Sequence, residues 1–449
     1  MIRIREGGPA AERERPARTR GRLGVAAILV IGLITLPWAV HPWYDPTPDG
    51  SLYLITAQSL LDVQGYTIFG EPFHLRPPGF TLFLVPVLAA GGGFAAIHVL
   101  VSVLGILGLA ALYSLQRTRI GGPLALAAAV ILAVTPGFRI LCNQVMSDVP
   151  GFALLMGCLL LERRVSRGSS VAGEILLGLC IGTAATVRTV VVLLLPAVLV
   201  SRVADRWLGG ERGTSEAAFV WRRLGVVTAA VIAAQLPWSL ADRPGADDPP
   251  ADQTARFSYS TGMWHEDEGD PTSRRLTLGE ILRERVPERL TDIAGSFGSG
   301  LRADDFTPAR GAAAAVFGLS LLWVLLKRRS PSDVFALGAL TLLSVYFGYK
   351  PRLLLPVYAL AVPAVLETAR DLAGGLLRAR AAGVVTGALA LVWAAAVFTP
   401  RPGWVRVREA HEREAALAAE ISARLQPDDR VGASVGWDWS VYLDRPVWT

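Results

Sequence analysis

The stretch WYDPTPDGSLYLITAQSLL, residues 43–61, decides how the rest of the chain is laid out. It follows directly on the apolar run 23–40 and sets two acids, Asp45 and Asp49, where a chain leaving a membrane first meets water. Pro46, Pro48 and Gly50 turn the backbone there rather than letting it continue as helix. Asp49 and Ser51 are candidate N-caps for the segment that follows, in which Leu52, Ile55, Ser59 and Leu60 recur at helical spacing. Asp49 then lies at the positive end of a short helix, which favours its ionised form. By itself this describes a capped interfacial helix; its company further along the chain gives the carboxylate a second meaning.

Of the 449 residues, 52% are hydrophobic and only 18% charged, against about 25% charged in soluble domains. Mean hydropathy is +0.42. Apolar runs of roughly 16–22 residues recur, separated by short arginine-bearing breaks, which is the pattern of an all-α polytopic membrane protein. The net charge of +6 is therefore read through topology, and no nucleic-acid partner is implied. Cys142, Cys158 and Cys180 show neither metal spacing nor a disulfide framework.

Residues 1–22 hold seven arginines and no lysine and read as a disordered cytoplasmic tail. The run 23–40 lacks a small-x-small cleavage site and reads as a retained first span. The positive-inside rule then sets the tail in the cytoplasm and Asp49 outside. Residues 80–90, bounded by Arg76-Pro77-Pro78-Gly79 and Gly91-Gly92-Gly93, rise only about 16 Å as a helix, half a bilayer core. They read as a re-entrant or interfacial helix within one external loop, 41–93. Span 94–115 delivers Arg117 and Arg119 to the cytoplasm. Spans follow at 123–138, 148–161, 171–187 and 189–200, with an outer loop at 139–147 and a basic cytoplasmic loop at 202–223. After span 224–240 comes a long, acidic, proline-rich external segment, 241–308. Spans at 309–326, 334–348, 353–369 and 384–398 complete about eleven crossings. The bundle 23–399 is followed by a small extracytoplasmic piece, 400–449, with a helix near 412–425 and a β-like run at 430–435. On this register Arg76, Arg139, Arg188, Lys350 and Arg352 fall in short outer segments, against the orienting bias. An anionic ligand at the outer face is one reason for cations to be there.

The same face collects Asp49 and Asp148, the latter in Ser147-Asp148-Val149-Pro150, which has the form of a helix start. Arg188 sits in the tight hairpin Thr186-Val187-Arg188-Thr189, and Lys350-Pro351-Arg352 precedes a helix. Caps for the acids and snorkelling for the cations are the plain structural alternatives. Arginine also grips phosphate in a bidentate fork, and a membrane-embedded phosphate sits at this depth. His41 and His74 border the first loop as hydrogen-bonded interfacial residues, and His98 reads as packed.

The order Pro48-Asp49-Gly50-x-x-Tyr53, Arg76-Pro77-Pro78-Gly79, Ser147-Asp148-x-Pro150, Arg188 and Lys350-Pro351-Arg352 resembles the GT-C superfamily of integral membrane glycosyltransferases. The likeness covers roughly residues 23–370 and is strongest to the family 39-like branch of protein O-mannosyltransferases and the lipid A aminoarabinose transferase. It implies transfer of a sugar from a polyprenyl-phosphate carrier to an acceptor on the extracytoplasmic side of the plasma membrane. It further implies Asp49 as the acid that activates the acceptor hydroxyl, Asp148 as the second-loop acid, and Lys350 and Arg352 near the donor phosphate. Tyr53 and Arg76 fall on matching first-loop positions. The chain departs from the pattern at Gly50, where relatives often carry Glu, and at Leu353, where many carry Tyr.

The chemistry fits the residues. An attacking hydroxyl needs a base, and an ionised aspartate serves. The oxocarbenium-like transition state is stabilised by nearby carboxylates. Charge growing on a departing phosphate suits Arg352, Lys350 or Arg188. No metal or other cofactor is required, although Asp267, Glu268 and Asp270 offer a divalent cation a place in the long loop. The rivals are a transporter or flippase of lipid-linked glycans and a non-catalytic membrane scaffold of the same fold. Transport usually places acids or broken helices at mid-membrane, and these spans carry few carboxylates.

Overall fold

The structure, a computed structural model, describes residues 23–32, 40–45, 47–73, 75–168, 170–208, 214–241, 259–267, 270, 272–302, 307–377, 379–397, 404–426, 429, 431–432, 436–443 and 447–448. The tail 1–22, the end of the first span including Trp38, His74 and Glu268 lie outside them.

The first described helix is α1 (Leu23–Gly32), followed by α2 (Pro48–Leu61). Thr47 is the N-cap, extended at φ −140°, ψ 136°, and its hydroxyl accepts from the Gly50 amide at 3.1 Å. This corrects the expectation that Asp49 or Ser51 caps the helix. Pro48 takes the first helical position, where a missing N–H costs nothing, so the cap falls one residue before it. Asp49 sits in the first turn, still at the positive end. A short antiparallel hairpin, β1 (Thr67–Ile68) with β2 (Glu71–Pro72), returns the chain to α3 (Gly79–Ala89), an eleven-residue helix where the sequence predicts a short one at 80–90. Thr56 of α2 and Thr81 of α3 share a buried hydrogen bond of 3.0 Å, and Tyr53 meets Phe80 edge to face.

The bundle follows as α4 (Phe94–Gln116), α5 (Gly122–Val134), α6 (Pro136–Leu141), α7 (Asp148–Val165) and α8 (Val171–Val187). The expected single span 123–138 is in fact α5 and α6, broken at Thr135. Pro136 forces Thr135 into extended backbone (φ −60°, ψ 127°). A 3₁₀ turn, Thr189–Leu193, leads into α9 (Leu194–Leu208), then α10 (Thr214–Ala241). The expected basic loop 202–223 is largely helical. Buried Glu174 of α8 draws in Arg202 at 2.9 Å together with Arg223, which holds both helix ends against the bundle.

The described part of 241–308, expected as a solvated external loop, is largely helical. It contains α11 (Tyr259–Trp264), α12 (Leu278–Glu280), a π turn Ile281–Arg285, and α13 (Val286–Ser299). Arg285 donates to the Met263 carbonyl at 2.8 Å, and Arg289 donates to the carbonyls of Tyr346 (3.1 Å) and Phe347 (2.6 Å). The segment is thereby tied to the turn before Lys350. The bundle closes with α14 (Pro308–Arg328), α15 (Pro331–Val345), a 3₁₀ turn Pro351–Leu354, α16 (Leu355–Leu376) and α17 (Ala379–Val397).

Among the described residues four helices reach the crossing threshold by length and apolarity alone: Phe94–Gln116, Val220–Leu240, Pro308–Arg328 and Pro351–Leu376. Shorter apolar helices stand beside them, including Gly122–Val134, Val171–Val187 and Pro331–Val345, below the ~20 residues a full bilayer asks for. Leu176, Leu179, Leu319, Trp323, Leu391 and Val392 are exposed on the outside of the bundle, the surface that a hydrocarbon solvent tolerates. The C-terminal piece is richer than one helix and one strand. It comprises α18 (Trp404–Ser422), β3 (Val431–Gly432), α19 (Gly436–Leu443) and β4 (Val447–Trp448), with β3 and β4 parallel and α19 packed on α2 and α18.

Candidate active site

Three helix starts and two helix-entry turns converge beside the beginning of α2. The first turn of α2 presents Asp49, and the first residue of α7 is Asp148, with Ser147 as N-cap and no side-chain cap bond. Arg188 is the extended residue between α8 and the 3₁₀ turn. Arg352 lies in the 3₁₀ turn that starts α16, and Arg76 immediately precedes α3.

These five side chains form one ion-pair cluster. Arg352 Nη2 donates to Asp49 Oδ2 at 2.5 Å, and Arg76 Nη2 lies 3.7 Å from Asp49 Oδ1. Arg188 Nη2 approaches Asp148 Oδ1 at 2.6 Å, and Arg352 Nη1 stands 3.9 Å from Asp148 Oδ2. The Arg188–Asp148 approach is close in distance but off the N–H direction, so it acts by charge and leaves both Asp148 oxygens without an aligned hydrogen bond among the described residues. Arg352 is the hinge of the cluster, facing both acids.

Electrostatics set the protonation. Burial pushes the Asp49 carboxyl up, but Arg352, then Arg76 and Arg188, more than reverse it, and the net shift is below the ordinary value of 3.8. Asp49 is therefore an anion across the neutral range. Tyr53, one turn along α2, is 5% exposed, and burial followed by the Asp49 charge pushes its phenol up to about 12. It stays protonated and shares a hydrogen bond of 3.2 Å with Ser147.

Several contributors went unseen in the sequence. Met146 receives the Arg352 Nη1 donor at 3.2 Å and the Thr47 hydroxyl at 3.1 Å. Ser147 bridges Tyr53 and Arg188 Nη1, the latter at 3.4 Å. Gln144 donates to Asp45 at 2.7 Å, linking the segment before α2 to the segment before α7. Asp45, four residues from Asp49, is thus turned to Gln144. Gly50 explains a departure from the family pattern: a Cβ there would lie 2.5 Å from Thr47 Oγ1 and 2.8 Å from the Val145 carbonyl. The second loop comes this close to α2 because residue 50 has no side chain. Of the sequence candidates, Asp49, Tyr53, Arg76, Asp148, Arg188 and Arg352 come together. Lys350, two residues from Arg352, is exposed and makes no ion pair among the described residues.

His98 is buried, with Nδ1 2.8 Å from the His41 carbonyl and the two rings edge to face at 4.5 Å, as a packed histidine would be. In the long loop Asp270 accepts from Thr272, capping a turn. Among the described residues no group of three His, Cys, Asp or Glu is arranged to hold a metal ion.

Residues 76–238 match the dolichyl-phosphate-mannose-protein mannosyltransferase family. The fold is that of GT-C polytopic membrane proteins. It is similar to ArnT from Cupriavidus metallidurans solved with undecaprenyl phosphate (TM-score 0.59, 15% identity, 95% of this chain and 84% of that one). It is also similar to the oligosaccharyltransferase AglB from Archaeoglobus fulgidus in complex with an inhibitory peptide and a dolichol-phosphate (TM-score 0.54, 12% identity, 95% of this chain and 64% of that one). No curated protein sequence matches the chain.

Proposed function

We propose that the protein is a glycosyltransferase that takes a sugar from a polyprenyl-phosphate carrier and passes it to an acceptor hydroxyl on the extracytoplasmic side of the plasma membrane. The observation that carries the reading is the charge balance of the cluster. Three guanidiniums, Arg76, Arg188 and Arg352, surround two carboxylates, Asp49 and Asp148. One positive charge is left over, in a place where the carrier's phosphate can supply the missing anion.

Asp49 is the base. As the acceptor hydroxyl attacks the anomeric carbon, its proton passes to Asp49, the C–O bond to the carrier breaks, and the electron pair leaves on the phosphate oxygen. Arg352 is shared between base and leaving group: as phosphate charge grows, the guanidinium that neutralised Asp49 turns toward it. Asp148 anchors Arg188 and stabilises positive charge on the sugar ring. A phosphate needs no protonation to depart, so one base suffices, and a single displacement inverts the anomeric centre. The residues do not call for a metal.

The test is transfer from a panel of radiolabelled polyprenyl-phosphate sugars by the protein in lipid nanodiscs. Transfer is expected in the wild type, with Asp49→Asn slower by at least about 100-fold, the usual worth of a general base. Full transfer by a normally inserted Asp49→Asn protein sinks the mechanism.

A further inference from the structure

A cavity of about 470 Å³ lies between α2, the β1 hairpin, the start of α4 and α19, within the size range of small-ligand pockets, about 300–1,000 Å³. It is separate from the ion-pair cluster. Gln58, which lines it, is nine residues beyond Asp49 on α2. That is two and a half turns, so it projects from the opposite face, about 14 Å further along the axis.

Two features of the lining select its ligand. Gln58, Asp62 and Gln64 offer planar amide and carboxylate groups, Ser440 a hydroxyl from the C-terminal piece, and Phe69 a ring that is 38% exposed. Planar polar groups beside an aromatic face match the hydroxyls and the C–H face of a sugar. Among the described residues no Lys, Arg or His lines the cavity and the one charge is the Asp62 carboxylate, so a phosphate finds repulsion there. Another part of the wall is apolar, with Leu54, Leu88 and Ile97. Phe69 also holds φ +52°, a left-handed backbone rare for a bulky residue.

We infer that this cavity is a remote acceptor subsite, taking a neutral, hydroxyl-rich sugar unit on an apolar stem while another part of the same acceptor reaches Asp49. This deepens the proposed function and rests on it. Binding energy collected away from the reacting centre then positions the acceptor, and the C-terminal piece contributes by supplying the outer wall through Ser440.

The full chain in nanodiscs is titrated with n-octyl β-glucoside below its micelle concentration and, in parallel, with n-octyl phosphate, followed by saturation-transfer NMR. Octyl glucoside is expected to bind saturably, at least about fivefold more weakly to Gln58→Leu/Gln64→Leu and to Phe69→Ala, while undecaprenyl-phosphate binding stays at wild-type level in both variants as the check on folding. Equal octyl glucoside binding in wild type and variants, or tighter binding of octyl phosphate, overturns the site. In membranes holding the native acceptor, saturating octyl glucoside is expected to slow transfer of labelled sugar at least about threefold in the wild type and not in Gln58→Leu/Gln64→Leu. Transfer that is unaffected in both makes the occupant a resident glycolipid and overturns the acceptor assignment. Saturable, variant-sensitive binding with no transfer from any donor leaves the cavity standing and removes the glycosyltransferase reading, so the two failures are told apart.

Discussion

Asp49 is held ionised by a contest that burial alone would lose. The desolvation that pushes its carboxyl up is outweighed by Arg352, Arg76 and Arg188. A carboxyl depressed in the folded state contributes stability above its unfolded value, and that contribution is lost as pH falls through the depressed folded value. The acid limb of a transfer profile governed by Asp49 therefore lies below the ordinary carboxylate value of 3.8. Arg352→Gln removes the nearest cation, and the limb is expected to move to higher pH in a profile of kcat/KM; an unmoved limb means that another group governs it. Asp45 behaves in the opposite sense. Burial pushes its carboxyl up and the Gln144 hydrogen bond only partly restores it, so this group's contribution to stability declines as pH rises from the unfolded toward the folded value. Asp45→Asn keeps an acceptor for Gln144 and is expected to hold or raise the melting temperature at pH 7. Asp45→Ala removes the acceptor of the half-buried Gln144 amide and is expected to lower the melting temperature, at a cost of about 1 kcal/mol. Thermal unfolding of the two variants separates the outcomes.

The elements matter because each delivers a charged side chain by its start. Thr47→Ala deletes the α2 cap and is expected to cost about 1 kcal/mol, and because Asp49 is in the turn that the cap fixes, kcat should fall more than the loss of folded protein explains. A second contact of this kind is the seam of α8 with α10. At Gly178 an added Cβ would lie 2.5 Å from both the Ala230 Cβ and the Val227 carbonyl, and at Gly182 it would lie 2.5 Å from the Ala234 Cβ. This small-xxx-small spacing lets two backbones touch where no hydrophobic force drives helices together. Gly182→Leu is expected to pry the seam apart and lower the melting temperature in detergent, whereas Gly225→Ala, which meets nothing within 4 Å, is expected to leave it unchanged. The sequence made the short helix 79–89 and the shared face of the two acids readable, because helix length and charge bias are local properties. It did not reveal Thr47 as the cap, since three cap-type residues compete there and only Pro48 decides among them. Met146, Ser147 and Gln144 were hidden for a different reason: their roles depend on contacts to residues about a hundred positions away, and no spacing rule carries that distance. The helical parts of 202–223 and 241–308 are not legible because polar composition reads as loop, whereas Glu174 and the backbone carbonyls of 346–347 give those arginines fixed partners.

At the scale of the whole molecule the two ends of the bundle carry different kinds of charge. One end has the small, mixed cluster around Asp49. The other has a broad arginine network: Arg119 with Ser330, Ser332 and Asp333, Arg202 and Arg223 with Glu174, and Lys327, Arg328 and Arg370 with Glu367. Helix α4 joins them, starting at Phe94 beside α3 and ending next to Arg117. Its 23 residues rise about 35 Å, enough to separate the ends by a bilayer core. By the positive-inside rule the arginine-rich end is expected on the cytoplasmic side, which would turn the Asp49 end out. Val63, 90% exposed just beyond α2, and Arg117 are reporters for the two sides. With Cys142, Cys158 and Cys180 replaced by alanine, Val63→Cys is expected to react with a membrane-impermeant maleimide on intact cells and Arg117→Cys only after lysis. The reverse pattern would turn the cluster toward the cytoplasm and with it every step of the proposed transfer, because the carrier's sugar would then have to be met on the other leaflet.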